Sequence, residues 1–270
     1  MTKAKREMDE SVKIVDLVIE LLDARVPMSS RNPDIDTLAA NKFRLILLNK
    51  ADLADPEATS SWISFFSENG ITAIPLDSRE KTKMKSIQSA IESVCREKFE
   101  RDRRRGILNR PVRAMVAGIP NVGKSTFINS FSGRAAAKTG NKPGVTKGNQ
   151  WIRLNKKTEL LDTPGILWPK FDDELTGTHL AFIGSVNDDV IDTEELSLEL
   201  LRFLLENEKE ALISRYQIEL CGDPYEILSR IAVSRNCIKK GGEADLLRAA
   251  SLVIDDFRTG KTGRITVERP

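Results

Sequence analysis

Short apolar runs alternate with amphipathic stretches between Leu17 and about Asp162. This pattern predicts a parallel β-sheet covered by helices. Each run ends at polar or glycine residues, which places those residues at the carboxyl edge of the sheet, where open α/β folds bind ligands. The predicted strands are LVIELLD, FRLILLN, TAIPLD, VRAMVAG and TELLD.

The pattern changes to helical spacing after about Asp188, and Asp192 and Glu195 are placed as a capping box for a helix. Apolar residues recur at helical intervals in two stretches of this region. They are Leu196, Leu200, Phe203 and Leu204, and then Leu246, Ala250, Val253 and Phe257. We therefore predict an α/β domain over residues 1–187 and a small all-α domain over residues 188–270.

Composition adds few constraints. The 42 basic and 40 acidic residues give a net charge of +2, so only local patches would hold nucleic acid. Cys95, Cys221 and Cys237 fit neither a disulfide framework nor paired zinc-ligand spacing. No apolar run approaches the roughly 20 residues of a membrane span. These features predict a cytoplasmic protein that does not enter a membrane.

The run GIPNVGKS follows a predicted strand and precedes the helical pattern TFINSF, which is the context required of a P-loop. Gly118 and Gly123 would let backbone N–H groups face phosphate oxygens. Lys124 would hold the β and γ phosphates, and Ser125 would be a ligand of nucleotide-bound Mg²⁺. The alternative is a glycine turn with a solvated lysine. The candidate nucleotide-binding residues here are Asn121, Val122, Gly123, Lys124, Ser125 and Thr126.

The sequence DTPG closes the run TELLD, where a P-loop NTPase needs a carboxylate facing Mg²⁺. Asp162 is the candidate for that role, and the backbone N–H of Gly165 would contact the γ-phosphate. Thr146, in the glycine-rich stretch between the two motifs, is the candidate second Mg²⁺ ligand. Taken alone, DTPG would be explained as an Asx turn with proline, and the alternative for Thr146 is an ordinary loop threonine after a Pro-Gly turn.

The sequence NKAD ends the strand FRLILLN and matches the NKxD guanine motif. The Asp52 carboxylate would accept from the ring N1–H and the exocyclic amine of guanine, whereas adenine has no donor at N1. Asn49 would tie neighbouring loops to the base, and the stem of Lys50 would cover the face of the base. Ser78, in PLDSRE, would belong to a second base-contacting loop. Alone, NKAD is also explained as a helix cap.

The motifs occur in the order NKAD, DSRE, GIPNVGKS, PGVT and DTPG, with the guanine motif before the phosphate loop. The predicted fold is therefore a P-loop GTPase sheet that is circularly permuted. The chain resembles the circularly permuted GTPases of the YlqF/RbgA type in these motifs and in three longer runs. Those runs are DARVPMSSRNP, KTGNKPGVTKGNQW and LLDTPGILWPKF.

The resemblance implies a GTPase that binds GTP and GDP and acts in assembly of the large ribosomal subunit, and we expect it to be a monomer. It further implies weak intrinsic hydrolysis that the subunit precursor stimulates, and a helical domain that contacts ribosomal RNA. Asn121 resembles the asparagine with which relatives hold K⁺ against the phosphates. The alternative for Asn121 is a hydrogen bond within its own loop.

Two features bear on how the attacking water is positioned. Ile166 follows DTPG and cannot orient a water, and the chain starts at Met1 without the Trp-x-Pro-Gly-His stretch of relatives. Either the amino terminus is truncated, or RNA or protein acting in trans positions the attacking water. His179 lies in a predicted helix and is interpreted as structural.

Two sets of charged residues have open interpretations. Asp23 and Arg25 form either a salt bridge at the sheet edge or a contact to the ribosomal subunit. Ten basic residues either hold RNA phosphates or form a solvated surface. They are Arg101, Arg103, Arg104, Arg105, Lys239, Lys240, Arg248, Arg258, Lys261 and Arg264.

Three functions compete at this stage. The first is a GTP-hydrolysing switch that binds the large-subunit precursor. The second is a GTP-dependent RNA-binding placeholder with negligible hydrolysis. A metabolic ATPase is the third, and NKAD opposes it because that motif selects guanine.

Overall fold

A computed structural model describes residues 3–107, 110–133, 150–162 and 174–270. The chain divides into two compact units. The first unit comprises Met1–Lys170 together with Glu268–Pro270, and the second comprises Phe171–Val267.

The first unit contains a six-stranded sheet with strand order β3-β2-β1-β4-β6-β5. All neighbouring strands are parallel except the pair β5 and β6, which is antiparallel. The strands are β1 (Leu17–Asp23), β2 (Phe43–Asn49), β3 (Thr72–Leu76), β4 (Val112–Ala117), β5 (Gln150–Arg153) and β6 (Thr158–Asp162). The five predicted strands are confirmed, whereas β5 was not predicted because QWIR is short and carries no clear alternation.

The register of the sheet brings the sequence motifs to one edge. Asp23 at the end of β1 lies opposite Asn49 at the end of β2, and Asn49 lies opposite Leu76 at the end of β3. On the other side of β1, Val116 lies opposite Asp162. The guanine motif and the phosphate loop therefore share one sheet edge although the chain visits them in the permuted order.

Helices of the first unit cover the sheet. They are α1 (Lys3–Lys13), α2 (Asp34–Leu38), α3 (Pro56–Glu68), α4 (Met84–Val94), α5 (Arg96–Arg104) and α6 (Lys124–Ser132). Helix α3 begins at an Asp55 cap with a proline in its first turn, and it buries Trp62 and Phe66 against strand residues such as Ile46. Its aromatic face therefore anchors the segment that follows NKAD.

Helix α5 carries the arginine-rich stretch that begins at Arg96. Its Lys98 and Asp102 side chains are buried, and Lys98 Nζ donates to Asp102 Oδ2 at 2.8 Å. The two residues are about one helical turn apart, so they lie on the same face of α5. Because both are buried, that face packs inward. The four arginines at positions 101, 103, 104 and 105 are exposed, as the sequence predicted.

The second unit is helical in its described part. Its helices are α7 (Glu174–Phe182), α8 (Thr193–Asn207), α9 (Lys209–Tyr216), α10 (Pro224–Ser234) and α11 (Leu246–Arg258). Asp192 caps α8 by accepting from the N–H groups of Glu194 and Glu195 at 2.9 and 3.1 Å. This is the cap that the sequence predicted.

The second unit begins earlier than the boundary predicted at residue 188. Helix α7 belongs to it, because the Phe182 ring meets Phe257 of α11 at 6.2 Å and Arg258 Nη2 donates to the carbonyl of Ala181 at 2.8 Å. Residues 180–183 are all apolar and all buried, so the apolar positions here are consecutive and do not recur at helical intervals. The sequence pattern therefore gave no sign that α7 packs on the helices after it.

Candidate nucleotide-binding site

Asn49 joins three loops at the carboxyl edge of the sheet. Its Oδ1 atom accepts from the backbone N–H of Ser78 at 3.0 Å and from the Ser78 hydroxyl at 2.7 Å. Its Nδ2 atom donates to the carbonyl of Val122 in the phosphate loop at 2.7 Å. Asn49 and Ser78 are both buried, so these bonds are shielded from water. The first residue of NKAD therefore connects its own loop and the Ser78 loop to the phosphate loop.

The phosphate loop needs glycine at two positions for different reasons. A Cβ atom on Gly118 would lie 2.9 Å from the carbonyl oxygen of Leu21 in β1. Gly123 has a φ of +97°, and a Cβ atom there would lie 2.4 Å from Asn49 Nδ2. Asn121 also has a left-handed backbone, with a φ of 60°. The loop is thus curled tightly against β1 and Asn49, and it leads directly into α6.

Lys124 and Asp162 form a buried pair of opposite charge behind this loop. The Lys124 Nζ atom lies 3.8 Å from Asp162 Oδ1, which is too long for a hydrogen bond. Both atoms are buried without a hydrogen-bond partner among the described residues. Burial lowers the pKa of Lys124 to about 8 and raises the pKa of Asp162. A buried cation and a buried carboxylate with unused hydrogen-bonding capacity fit a phosphate and a divalent ion.

The Lys50 side chain of NKAD binds a buried ion pair formed by Asp23 and Arg25. Its Nζ atom lies 2.9 Å from Asp23 Oδ2, and the Arg25 guanidinium binds the same carboxylate through two bonds of 2.9 and 2.8 Å. Burial raises the pKa of Asp23, but the charges of Arg25 and Lys50 outweigh burial and hold that pKa well below its usual range. The interpretation of Asp23 and Arg25 as a sheet-edge salt bridge is therefore correct, and the sequence did not predict its contact with Lys50.

Asp52 lies next to an arginine that the sequence interpretation did not include. Arg79 Nη2 donates to Asp52 Oδ2 at 2.5 Å and to Asp77 Oδ2 at 2.8 Å. The signal was present in the sequence, because Arg79 follows Ser78 in the loop that was predicted to contact the base. Charge complementarity between two loops was not visible without their spatial arrangement.

The remaining predicted site residues divide into two groups. Ser125 and Thr126 follow Lys124 in the first turn of α6, and both are half-buried. Lys124, Ser125 and Asp162 therefore have the chemistry to hold a Mg²⁺-bound triphosphate. Thr146, Gly165 and Ile166 lie outside the described residues, so their predicted roles stay predictions.

A second unpredicted contact lies at the segment that follows β1. The Glu268 carboxylate accepts from the backbone N–H of Met28 at 2.7 Å, from the N–H of Ser29 at 3.1 Å and from the Ser29 hydroxyl. Trp62 Nε1 donates to the carbonyl of Glu268 at 3.0 Å. The residues after the helical unit thus return to the first unit and fix part of DARVPMSSRNP.

Two predictions outside the nucleotide site have clear outcomes. His179 is buried in α7 beside the ring of Phe182, which agrees with a structural role. Arg258, a candidate RNA contact, instead binds the Asp188 carboxylate and the carbonyls of Ala181 and Phe182, and only 19% of its side chain is exposed. We therefore remove Arg258 from the candidate RNA contacts, because its donors are used within the unit. Of the helices that the structure describes, none has the length and apolar character needed to cross a bilayer.

Comparisons with known proteins agree with this geometry. The profile of the family described as 50S ribosome-binding GTPase matches residues 113–218. A ribosome biogenesis GTPase A of Bacillus cereus is 44% identical over 271 residues, covering 100% of this chain and 92% of the relative. A protein with the same name from Thermotoga maritima is 32% identical over 268 residues, covering 99% of this chain and 91% of the relative.

Solved structures show the same fold. GNP-bound YlqF from T. maritima matches with a TM-score of 0.70 and 30% identity, covering 100% of this chain and 99% of that one. A GDP-bound YlqF structure matches with a TM-score of 0.72 and 28% identity, covering 98% of this chain and 99% of that one. The P-loop GTPase sheet with permuted motif order and a helical carboxyl-terminal unit is therefore confirmed. The chain belongs to the ribosome biogenesis GTPase A family.

Proposed function

We propose that this protein is a GTP-hydrolysing switch in assembly of the large ribosomal subunit, which binds the precursor particle with GTP and leaves after hydrolysis. One observation carries the nucleotide part: Asn49 ties the base-reading loops to a phosphate loop whose Lys124 is buried opposite Asp162. The ribosomal part rests on relatives named ribosome biogenesis GTPase A that match the whole chain.

Each candidate site residue has a role in this proposal. Asp52 reads guanine, Asn49 and Ser78 align the base-reading loops, and the stem of Lys50 covers the base. The N–H groups from Asn121 to Thr126 and the Lys124 ammonium hold the phosphates. Ser125 and Asp162, with Thr146, would hold Mg²⁺. The ion would neutralise charge on the β and γ phosphates. Gly165 would contact the γ-phosphate.

Base selection is tested by nucleotide competition. Asp52→Asn replaces one acceptor oxygen by a donor amide, so affinity for GDP should fall while affinity for XDP, which has a carbonyl at C2, should rise. Asn69→Ala, at an exposed position beyond α3, serves as the control and should leave both affinities unchanged. A preference of the unmodified protein for ADP over GDP would contradict the proposal.

Binding to the ribosomal particle is tested by co-sedimentation with large-subunit precursors in GMPPNP, GDP or no nucleotide. The protein should sediment with the particle only in GMPPNP, and Lys124→Ala should abolish that binding. Single-turnover hydrolysis with particles present separates a switch from the second candidate, an RNA-binding placeholder. Hydrolysis that stays at the rate without particles would favour the placeholder.

We also propose that K⁺ supports hydrolysis through Asn121. This residue lies in the phosphate loop with a left-handed backbone, at the start of the run of N–H groups that would face the phosphates. Exchange of K⁺ for Na⁺ should lower the hydrolysis rate, and Asn121→Ala should remove the difference between the two ions. Equal rates of the unmodified protein in both ions would exclude this role.

The helical unit is the proposed contact to ribosomal RNA. Lys239, Lys240 and Arg248 are exposed, at the turn before α11 and in its first part. Reversing charge at Lys239 and Lys240 should weaken RNA binding and reduce its dependence on salt. Lys209→Glu, at an exposed position of α9, is the matched control for each reversal. Equal effects of the control and the test variants would assign the result to net charge alone.

The oligomeric state and the location in the cell complete the proposal. We expect a monomer in the cytoplasm, where large-subunit precursors are assembled. Sedimentation equilibrium with and without GMPPNP tests the first expectation, and fractionation of cells tests the second. A nucleotide-dependent dimer would contradict the monomer.

A further inference from the structure

The carboxylate that would read guanine is bound by an exposed arginine from the neighbouring loop. Arg79 Nη2 lies 2.5 Å from Asp52 Oδ2, and 28% of the Asp52 side chain is exposed. Arg79 is the residue after Ser78, whose N–H and hydroxyl are bound by Asn49. The arginine thus stands on a loop that the guanine motif itself holds in place.

Arg79 is anchored by Asp77 independently of Asp52. Asp77 Oδ1 accepts from the backbone N–H and from Nε of Arg79, each at 2.9 Å, and Oδ2 accepts from Nη2 at 2.8 Å. The turn is closed by Glu80 N–H, which donates to the Asp77 carbonyl at 3.0 Å. A guanidinium that makes two bonds to Asp77, on a backbone fixed by a third, keeps one orientation even though 67% of the Arg79 side chain is exposed.

This arrangement leaves Asp52 able to accept from guanine. Each carboxylate oxygen has two lone pairs, so one bond from Arg79 leaves capacity on both oxygens. The terminal torsion of an aspartate is otherwise broad, and fixing it on binding costs free energy. A carboxylate already fixed by Arg79 avoids part of that cost when the ring N1–H and the 2-amino group arrive together.

We propose that Arg79 is a positioning residue for guanine recognition, which orients the Asp52 carboxylate so that its two oxygens meet both donors of the base. This inference rests on the proposed function, because it assumes that Asp52 reads guanine. Its distinguishing consequence concerns the 2-amino group. The second donor needs the carboxylate in one plane, whereas a single N1–H bond tolerates rotation.

The test compares the affinities of GDP and IDP, since inosine lacks the 2-amino group. Arg79→Met keeps the aliphatic stem and should weaken GDP binding about fivefold while weakening IDP binding less than about twofold. Asp77→Asn keeps an acceptor for the Arg79 N–H but replaces the oxygen that binds Nη2. It should lower the GDP to IDP ratio in the same way, and the double variant should be no worse than Arg79→Met alone. Arg96→Met, an exposed arginine paired with Glu100 on α5, is the matched control and should change neither affinity.

Two results would overturn the role of Arg79. An unchanged or higher GDP affinity in Arg79→Met would mean that the arginine is a bystander or competes with the base. An equal loss for GDP and IDP would mean a general effect on the loop or on the phosphates. A failure of the proposed function would be a different result, because the unmodified protein would then show no preference for GDP over ADP.

Discussion

The Nζ atom of Lys124 lies 3.8 Å from Oδ1 of Asp162, and both atoms are buried without a hydrogen-bond partner in the described part of the chain. Burial holds the pKa of Lys124 at about 8 against an ordinary value of 10.5. Phosphate charge would restore the ammonium form, so the pKa rises when nucleotide binds. Binding then takes up a proton wherever the free protein has lost one.

We therefore expect GDP affinity to be nearly constant below about pH 7 and to fall above it. The drop between pH 7 and pH 8.5 should be about fourfold, from the fraction of Lys124 that is still protonated. Calorimetry in buffers of different ionisation enthalpy measures both the affinity and the proton uptake. Lys124→Arg stays protonated across this range, so its weaker GDP affinity should not fall with pH. A parallel decline in that variant would contradict the assignment to Lys124.

Comparing Gly123→Ala with Gly70→Ala should separate the effect of a steric clash from the effect of backbone strain. The new Cβ would lie 2.4 Å from Asn49 Nδ2, so the bond from Asn49 to Val122 must break or the phosphate loop must move. We expect GDP affinity to fall at least about tenfold, because misplaced N–H groups no longer face the phosphates. Gly70→Ala has the same kind of left-handed strain but no atom within 4 Å. It should cost only about 1 kcal/mol of unfolding free energy and leave GDP binding intact.

Asn49 should contribute to folding as well as to binding. Asn49→Ala leaves the Ser78 N–H and the Val122 carbonyl without their buried partner, so the free energy of unfolding should fall by about 2–4 kcal/mol. Asn49→Asp keeps an acceptor for Ser78 but sets a buried carboxylate oxygen against the Val122 carbonyl, so it should lose at least as much stability. Urea unfolding without nucleotide measures both. A smaller loss in Asn49→Asp than in Asn49→Ala would mean that the bond to Val122 contributes little.

Arg25 should be a folding determinant at the nucleotide edge. Arg25→Met leaves the Asp23 carboxylate, which is 0% exposed, with Lys50 as its remaining cation, and the free energy of unfolding should fall by about 3–5 kcal/mol. Thermal and urea unfolding provide the measurement. Lys13→Met breaks an exposed pair with Asp9 and should have little effect. A small change in Arg25→Met would mean that Lys50 alone compensates the buried charge.

Glu268 should stabilise the first unit from outside its continuous sequence. Glu268→Ala removes the acceptor of the Met28 and Ser29 N–H groups, so the free energy of unfolding should fall by about 1–2 kcal/mol. Glu268→Gln keeps an oxygen acceptor and should lose less. Glu219→Ala, at an exposed position of the second unit, is the control. The absence of a difference between Glu268→Ala and this control would exclude the proposed contribution.

Much of the site followed from local sequence. The motifs of Asn49 and Asp162 begin at the end of a strand, and the motif of Lys124 directly follows one. The parallel sheet brings such strand ends to one edge whatever the chain order. Sequence also determined the cap at Asp192, since that bond is formed within one helical turn. The strand β5 and the start of the second unit were missed, because QWIR is too short for a period and the apolar residues of α7 are consecutive.

The sequence by itself determined the sheet, the P-loop, the guanine motif and their permuted order, because each depends on residues within a few positions of one another. Only the tertiary structure decided which charged and polar groups from distant parts of the chain form contacts. Arg79 reaches Asp52 across 27 positions, and Glu268 reaches Ser29 across 239. Lys50 likewise meets Asp23 from the neighbouring strand. Electrostatic partners depend on distances in space and on burial, and neither property has a period along the chain.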